Sequence, residues 1–318
     1  MRTGSSRSQD IPSPCSRPQF EEISNSSSFK AVSKMIRAKK SLGQHFLSDA
    51  KIVRRIVQAV AAGPSDVIIE IGPGTGAITL PLAAQAGYVR AIEADSRMIA
   101  LLNRDDKPAN LSIVEGDALT IEWDDLIDST IEEWRKTVGV SSATPRVRVV
   151  GNLPYYISTP ILQLLIARRK RIFDVTVMLQ DEVVNRIASP PGSREYGYLS
   201  VLAQFYCNVQ KLFEVPPSAF KPAPAVRSAV VRLVLLEQAA AVVDSEERYF
   251  DVVRAAFAQR RKTILNNLKA AVNVLGATGP IEDAINRAGI DTRRRAETLS
   301  IQEFASLYYA LYCCGQCD

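Results

Sequence analysis

An apolar stripe at helical spacing is the first pattern in the chain. Ile52, Val53, Ile56, Val57 and Val60 follow Asp49, and Gly63-Pro64 closes the segment. That spacing predicts an amphipathic helix starting at Asp49. From there short apolar runs alternate with helical patterns. Strands are predicted over 67–71, 89–94, 111–114, 146–150 and 173–179. Helices are predicted after the glycines that follow the first strand, and over 96–104, 159–169 and 181–188. Apolar strands separated by helices predict a parallel sheet covered on both faces.

The pattern then changes. Residues 198–207 read as a helix, and 209–215 and 228–235 as strands joined by a proline-rich loop. Antiparallel strands therefore join the end of the sheet. Beyond about Glu237 only helical patterns remain, through Leu311. The expected organisation is an α/β domain over 39–237 and a small all-helical domain over 238–318. Residues 1–34 are rich in Ser, Arg and Pro and lack periodicity, so a disordered extension is expected over 1–38. Met35 offers a start of its own.

Composition narrows the function classes. The longest apolar runs, such as Val230 to Leu236, are strand-sized, well short of the roughly 20 residues of a membrane helix. The net charge of +5 sits wholly in the first 40 residues, which hold eight Lys/Arg against three Asp/Glu. The remainder is balanced, so a polyanion partner must be argued from local clusters. Those clusters are 168–171 (RRKR), 260–262 (RRK) and 293–295 (RRR). The five cysteines form neither a disulfide framework nor a four-ligand zinc set, and no metal is expected. His45 is the single histidine, which excludes a paired-histidine metal motif.

The chemistry sits at the strand ends. The first strand runs into Gly72-Pro73-Gly74-Thr75-Gly76, a turn that lets backbone approach a ligand closely. With Ala77 it also satisfies the loose dinucleotide pattern, so it does not by itself separate NAD from S-adenosylmethionine. Glu93 ends the second strand and can accept both hydroxyls of a ribose. Asp117 follows the third strand, where it can accept from an adenine amine. Glu70 is placed to receive a cofactor amino group or to order the loop.

The fourth strand ends in Asn152-Leu153-Pro154-Tyr155. Adenine N6 is a poor nucleophile because its lone pair is delocalised into the ring. The Asn152 side-chain oxygen and a backbone carbonyl at Leu153 or Pro154 can hold its two N–H groups and aim the lone pair at a methyl donor. Pro154 stiffens the turn and withholds a competing N–H. Tyr155 offers a face for stacking, and Phe220 is a candidate for the opposite face of the base, or else a hydrophobic plug under its loop. Positioning and electrostatics then supply most of the acceleration.

In order along the chain stand QHFL (44–47), EIGPGTG, IEAD, GDAL, GNLPYYIS, MLQDEVVNR and VPPSAFKPAP, followed by FAQRRKTILNNL and AGIDTRRRAETLSIQEF. Together they closely resemble the ribosomal RNA adenine N6,N6-dimethyltransferases, the enzymes whose loss in bacteria gives kasugamycin resistance. The resemblance runs from about Lys39 to about Phe304. It implies a Rossmann-like S-adenosylmethionine-dependent methyltransferase fold, mostly parallel with antiparallel strands at the end, plus a helical C-terminal domain that contacts RNA. It implies dimethylation of two adjacent adenines in the 3′-terminal hairpin of small-subunit RNA within a pre-ribosomal subunit, by a monomer. The family's cofactor contacts fall on His45, Leu47, Gly72, Glu93, Asp117 and Asn152, with Gly74 in the same loop. Arg227 stands where relatives often carry Asp.

Two other functions share this scaffold: methylation of a single adenine in large-subunit RNA, and a non-enzymatic RNA-binding or transcription-factor role. The first is disfavoured by QHFL, VPPSAF and the C-terminal motifs. The second is disfavoured by an intact Asn152–Tyr155 tetrapeptide. An NAD-dependent dehydrogenase would need a hydride-transfer site, which NLPY does not offer. A cytoplasmic location is expected, or an organellar one if residues 1–34 act as a transit peptide.

Overall fold

The computed structural model describes residues 38–39, 43–277 and 279–312. The expected disordered extension, apart from residue 38, lies outside them, as do Cys15, Cys313, Cys314 and Cys317. Nine strands are described: β1 (Phe46–Leu47), β2 (Asp66–Ile71), β3 (Tyr88–Glu93), β4 (Leu111–Glu115), β5 (Arg146–Asn152), β6 (Asp174–Gln180), β7 (Cys207–Val215), β8 (Phe220–Lys221) and β9 (Ser228–Leu235). Seven form one sheet in the order β4-β3-β2-β5-β6-β9-β7. The first five in that order are parallel, and β9 pairs antiparallel with both β6 and β7. The strand order reverses beside β2, so β2, β3 and β5 open a crevice at their C-terminal ends where ligands bind in such sheets.

The side-chain period of two divides β2 between two cores. Ile69 and Ile71 join one apolar cluster, and Ile68 joins the other. Helix α1 (Ala50–Val60) covers the second face with Ile52, Val53, Ile56, Val57 and Val60. Asp49 caps it by accepting from the amides of Lys51 and Ile52. Helices α2 (Thr79–Ala83) and α3 (Ser96–Leu102) follow the glycine turn and β3.

Helix α4 (Trp123–Val138) is absent from the sequence expectation. Its buried positions, Trp123, Leu126, Ile127, Thr130 and Trp134, are thinly spread among acids, without a dense apolar stripe. Two buried tryptophans dock it nonetheless: Trp123 Nε1 donates to the Ala118 carbonyl, and Trp134 Nε1 to that of Pro64.

Helices α5 (Ser158–Ala167), α6 (Asp181–Ala188) and α7 (Tyr198–Tyr206) complete this part. Helices α8 (Glu246–Ala256), α9 (Ile264–Ala270), α10 (Val272–Leu275), α11 (Ile281–Arg287) and α12 (Ile301–Tyr312) form the helical C-terminal region. It shares one continuous core with the sheet through Phe205 and Tyr206 of α7 and Tyr249 and Phe250 of α8. Their rings pack with centroids 4.7–5.6 Å apart, a spacing at which aromatic pairs add stability beyond area burial.

A charge cluster clamps the opposite, N-terminal edge of the sheet. Asp174, at the start of β6, accepts from Arg148 Nη1 of β5 at 3.2 Å and Arg232 Nε of β9 at 2.9 Å. Arg146 donates to Asp66 of β2 at 2.8 Å. Arg148 also donates to the Val60 carbonyl through Nη1, while its buried Nε lies 3.5 Å from Asp66 without a hydrogen bond.

Candidate active site

A cavity of about 190 Å³ opens at the C-terminal ends of β2, β3, β4 and β5. Every candidate residue named from the sequence lines it: His45, Leu47, Gly72, Gly74, Glu93, Asp117, Asn152, Leu153, Pro154, Tyr155 and Phe220. They come from six separate stretches of chain, gathered by the crossover connections of the sheet.

The glycine turn forms the floor. Gly72, Gly74 and Gly76 all have positive φ. At Gly74 a Cβ would also meet the Phe46 ring at 3.2 Å, so this position excludes a side chain on both counts. Glu93 binds the turn from the next strand. Its carboxylate accepts from the amides of Gly74 (3.2 Å), Ala94 (2.9 Å) and Asp95 (2.9 Å). Burial pushes its pKa up, and these amides partly offset that. The carboxylate therefore holds the turn and keeps lone pairs for ligand hydroxyls. Asp117 is exposed and caps its own turn, accepting from Leu119 N at 2.9 Å.

Glu70 lies below the turn with 2% of its surface exposed. Its Oε2 has no hydrogen-bond partner among the described residues. Burial pushes its pKa from 4.5 to about 8, with the Thr79 hydroxyl lowering it and the charge of Glu93 raising it further. Folded Glu70 thus keeps its proton well above the pH at which the unfolded carboxyl loses it. The stability tied to this group is full below pH 4.5 and drains away as pH rises through about 8. Wild type is expected to lose on the order of 4 kcal/mol across that window relative to Glu70→Gln. Urea denaturation at pH 5 and pH 8.5 checks this; a difference that does not change with pH refutes it.

An N-terminal strap roofs the cavity. β1 pairs antiparallel with β8, joining Phe46 to Lys221 and Leu47 to Phe220. His45 Nδ1 donates to the Pro222 carbonyl at 2.8 Å. Gln44 and Lys39 bind Asp95 just past β3, at 3.0 and 3.3 Å. Arg97 above all holds the buried Asp95 carboxyl far below the usual range, with Gln44 and Lys39 adding to it. Gln44 and Asp95 were not singled out individually in the sequence, although both lie within the QHFL and IEAD motifs.

The β5 end carries the tetrapeptide. Gly151 precedes it because a Cβ there would lie 2.9 Å from the Ile71 carbonyl, wedging the paired strands β2 and β5 apart. Asn152 Nδ2 donates to the His45 carbonyl at 3.0 Å. That bond fixes the amide and turns its oxygen into a free acceptor. The Pro154 carbonyl already accepts from Ile157 N and Ser158 Oγ. Of the two backbone acceptors expected there, Leu153 is the one with no such bond among the described residues. Tyr155 stacks against His45 with centroids 6.3 Å apart and bonds Ser228 through its hydroxyl. Phe220 is 3% exposed and packs in the core cluster of Leu47 and Ile78, so it forms a buried wall of the cavity.

The family model described as ribosomal RNA adenine dimethylase matches residues 35–311. The chain belongs to that family. The ribosomal RNA small subunit methyltransferase A of Shouchella clausii (strain KSM-K16) is 44% identical over 276 residues, which are 86% of this chain and 90% of the relative. That of Geobacter sulfurreducens (strain ATCC 51573 / DSM 12127 / PCA) is 45% identical over 283 residues, 88% of this chain and 97% of the relative. A crystal structure of a dimethyladenosine transferase from Plasmodium falciparum matches with a TM-score of 0.69 at 26% identity. It covers 83% of this chain and 96% of that one.

In this adenine dimethylase the basic clusters separate by environment. Of the run 168–171 expected to contact phosphates, the three arginines are ion-paired within the fold, whereas Lys170 is exposed and makes no ion pair among the described residues. Arg168 and Arg171 pair with Asp124, Arg171 also with Asp128, and Arg169 with Glu246. These arginines fasten α4 and the helical region to α5, which consumes their charge. Arg261, Lys262 and Arg295 are exposed and make no ion pair among the described residues. Their loops meet where Ile264 N donates to the Arg294 carbonyl at 2.7 Å, and Arg260 reaches the carbonyl of Arg194.

Proposed function

We propose that this dimethylase transfers methyl groups from S-adenosylmethionine to N6 of two adjacent adenines in the 3′-terminal hairpin of small-subunit ribosomal RNA. The observation that carries the reading is the Asn152 amide, which lines the cavity and is pinned through Nδ2, so that its oxygen is left as an acceptor with no hydrogen bond among the described residues. One N6–H donates to that oxygen and the other to the Leu153 carbonyl. The nitrogen lone pair is then drawn out of ring conjugation and aimed along one line.

The lining fits the cofactor by the chemistry of its donors. Glu93 offers a carboxylate to ribose hydroxyls, and Asp117 one to an adenine amine. Glu70, with a buried oxygen lacking a partner, suits an ammonium. Bound there, S-adenosylmethionine supplies a methyl group activated by its sulfonium. His45 and Leu47 in the strap close over it and keep water out. Tyr155 gives the target ring a flat support. No strong side-chain base is needed, because a methylated aminium is acidic and passes its proton to water. RNA reaches this site with its base turned out of the stack, while Arg261, Lys262 and Arg295 meet phosphates. The site of action is then the compartment in which small subunits are assembled.

The test is methyl transfer from labelled S-adenosylmethionine to small ribosomal subunits from a strain lacking this methylation. N6,N6-dimethyladenosine in the RNA digest is the expected product. Transfer only to free large-subunit RNA, or none at all, overturns the reading.

A further inference from the structure

We propose that Tyr156 is the stacking platform for the nucleotide adjacent to the adenine being methylated. The inference rests on the reading of the cavity as an RNA adenine methyltransferase site. Residues Tyr155–Ile157 form a single 3₁₀ turn. Such a turn has three residues per revolution, so consecutive side chains diverge by about 120°. Tyr155 lines the cavity, Ile157 is buried in the core, and Tyr156 points to solvent.

Tyr156 is 65% exposed, yet it lines the mouth of the same cavity. Its ring forms no hydrogen bond and no ring pair among the described residues. The other exposed aromatic among them, Phe173, lies under the guanidinium groups of Arg146 and Arg148. Tyr156 therefore presents an aromatic surface that the fold leaves uncovered on the same cavity that Asn152 lines. Gly43 backs it: a Cβ built there would sit 3.7 Å from the ring. The turn is rigid, because the Pro154 carbonyl accepts from both Ile157 N and Ser158 Oγ.

A base that enters the cavity leaves its neighbour in the strand without a stacking partner. A mounted aromatic face at the mouth replaces that partner and accepts any base, since every base has a π-face. Two tyrosines on one turn, facing inward and outward, thus match two successive nucleotides of a splayed strand.

Tyr156→Ala, Tyr156→Phe and Tyr156→Trp would be compared with wild type in methyl transfer to unmethylated small subunits, alongside thermal melting and S-adenosylmethionine binding. For Tyr156→Ala we expect KM for subunits to rise roughly 10-fold to 100-fold, with kcat changed by less than about 3-fold. Phe and Trp restore the wild-type KM, and melting and cofactor affinity stay unchanged. An unaltered KM in Tyr156→Ala, or equal losses in Ala and Phe, overturns the platform. So does a loss confined to cofactor binding. No transfer by wild type overturns the underlying reading and this inference with it.

Discussion

Asn152→Ala is expected to lower kcat for methyl transfer by roughly 10²- to 10³-fold, the usual cost of deleting one preorganised polar contact to a reacting group. Two things are lost together. The acceptor for N6–H disappears, so the lone pair returns to conjugation with the ring. The bond from Nδ2 to the His45 carbonyl also disappears, which removes one of the tethers of the strap above the cavity. The second loss is one part-buried hydrogen bond, worth about 1 kcal/mol. The fold survives it, and most of the deficit belongs in kcat. Asn152→Asp separates the two effects. It keeps an acceptor and loses the donor, and its charge repels the His45 carbonyl. An intermediate rate is expected. Single-turnover transfer with saturating cofactor measures both variants. A deficit below about tenfold for Asn152→Ala would remove Asn152 from the chemistry.

Asp174→Ala is expected to cost about 3–5 kcal/mol of stability, because it strands a buried cation. Asp174 is 1% exposed and bridges Arg148 and Arg232, on the strands either side of β6. Without it Arg148, itself buried, keeps only Asp66 at 3.5 Å and the Val60 carbonyl. The urea midpoint reads the effect, and a change under about 1 kcal/mol would show that the clamp holds nothing. The clamp lies at the sheet edge opposite the cavity. Catalysis measured well below the melting temperature should therefore stay near wild type, which separates this variant from Asn152→Ala.

The parallel part of the fold was legible because each strand is dominated by apolar residues, with only a few polar ones such as Glu70 and Arg148 among them. The strands over 67–71 and 146–150 emerge as β2 and β5 with one or two residues added at their ends. Helix α1 was equally plain, since its five buried residues are the five that mark the stripe. Helix α4 was missed because burial there is decided by two tryptophans and their distant carbonyl partners, not by a dense stripe. The arginines at 168, 169 and 171 were misread for a related reason. A run of positive charge looks solvent-facing until the acids of α4 and α8 are seen folded against it.

The strand-end residues could be named from sequence because ligand chemistry follows local rules. In the proposed function, glycines stand where backbone would approach a cofactor closely, acids where hydroxyls would arrive, and an Asn-Leu-Pro-Tyr turn where an amine would be held. What each group does there depended on neighbours far along the chain. The Asn152 oxygen is free because the carbonyl of His45, 107 residues earlier, takes its amine. Pro154 yields to Leu153 as backbone acceptor because the turn uses its carbonyl. Phe220 is a buried wall because β8 pairs with β1. Glu70 holds a raised pKa because the sheet and α2 exclude water from it. By itself the sequence determined the order of most elements of the parallel sheet, the family and the inventory of reactive groups, since apolar period and short motifs are local properties. The tertiary structure alone decided the protonation, free lone pairs and exposure of those groups, since each is set by contacts between residues that only folding brings together.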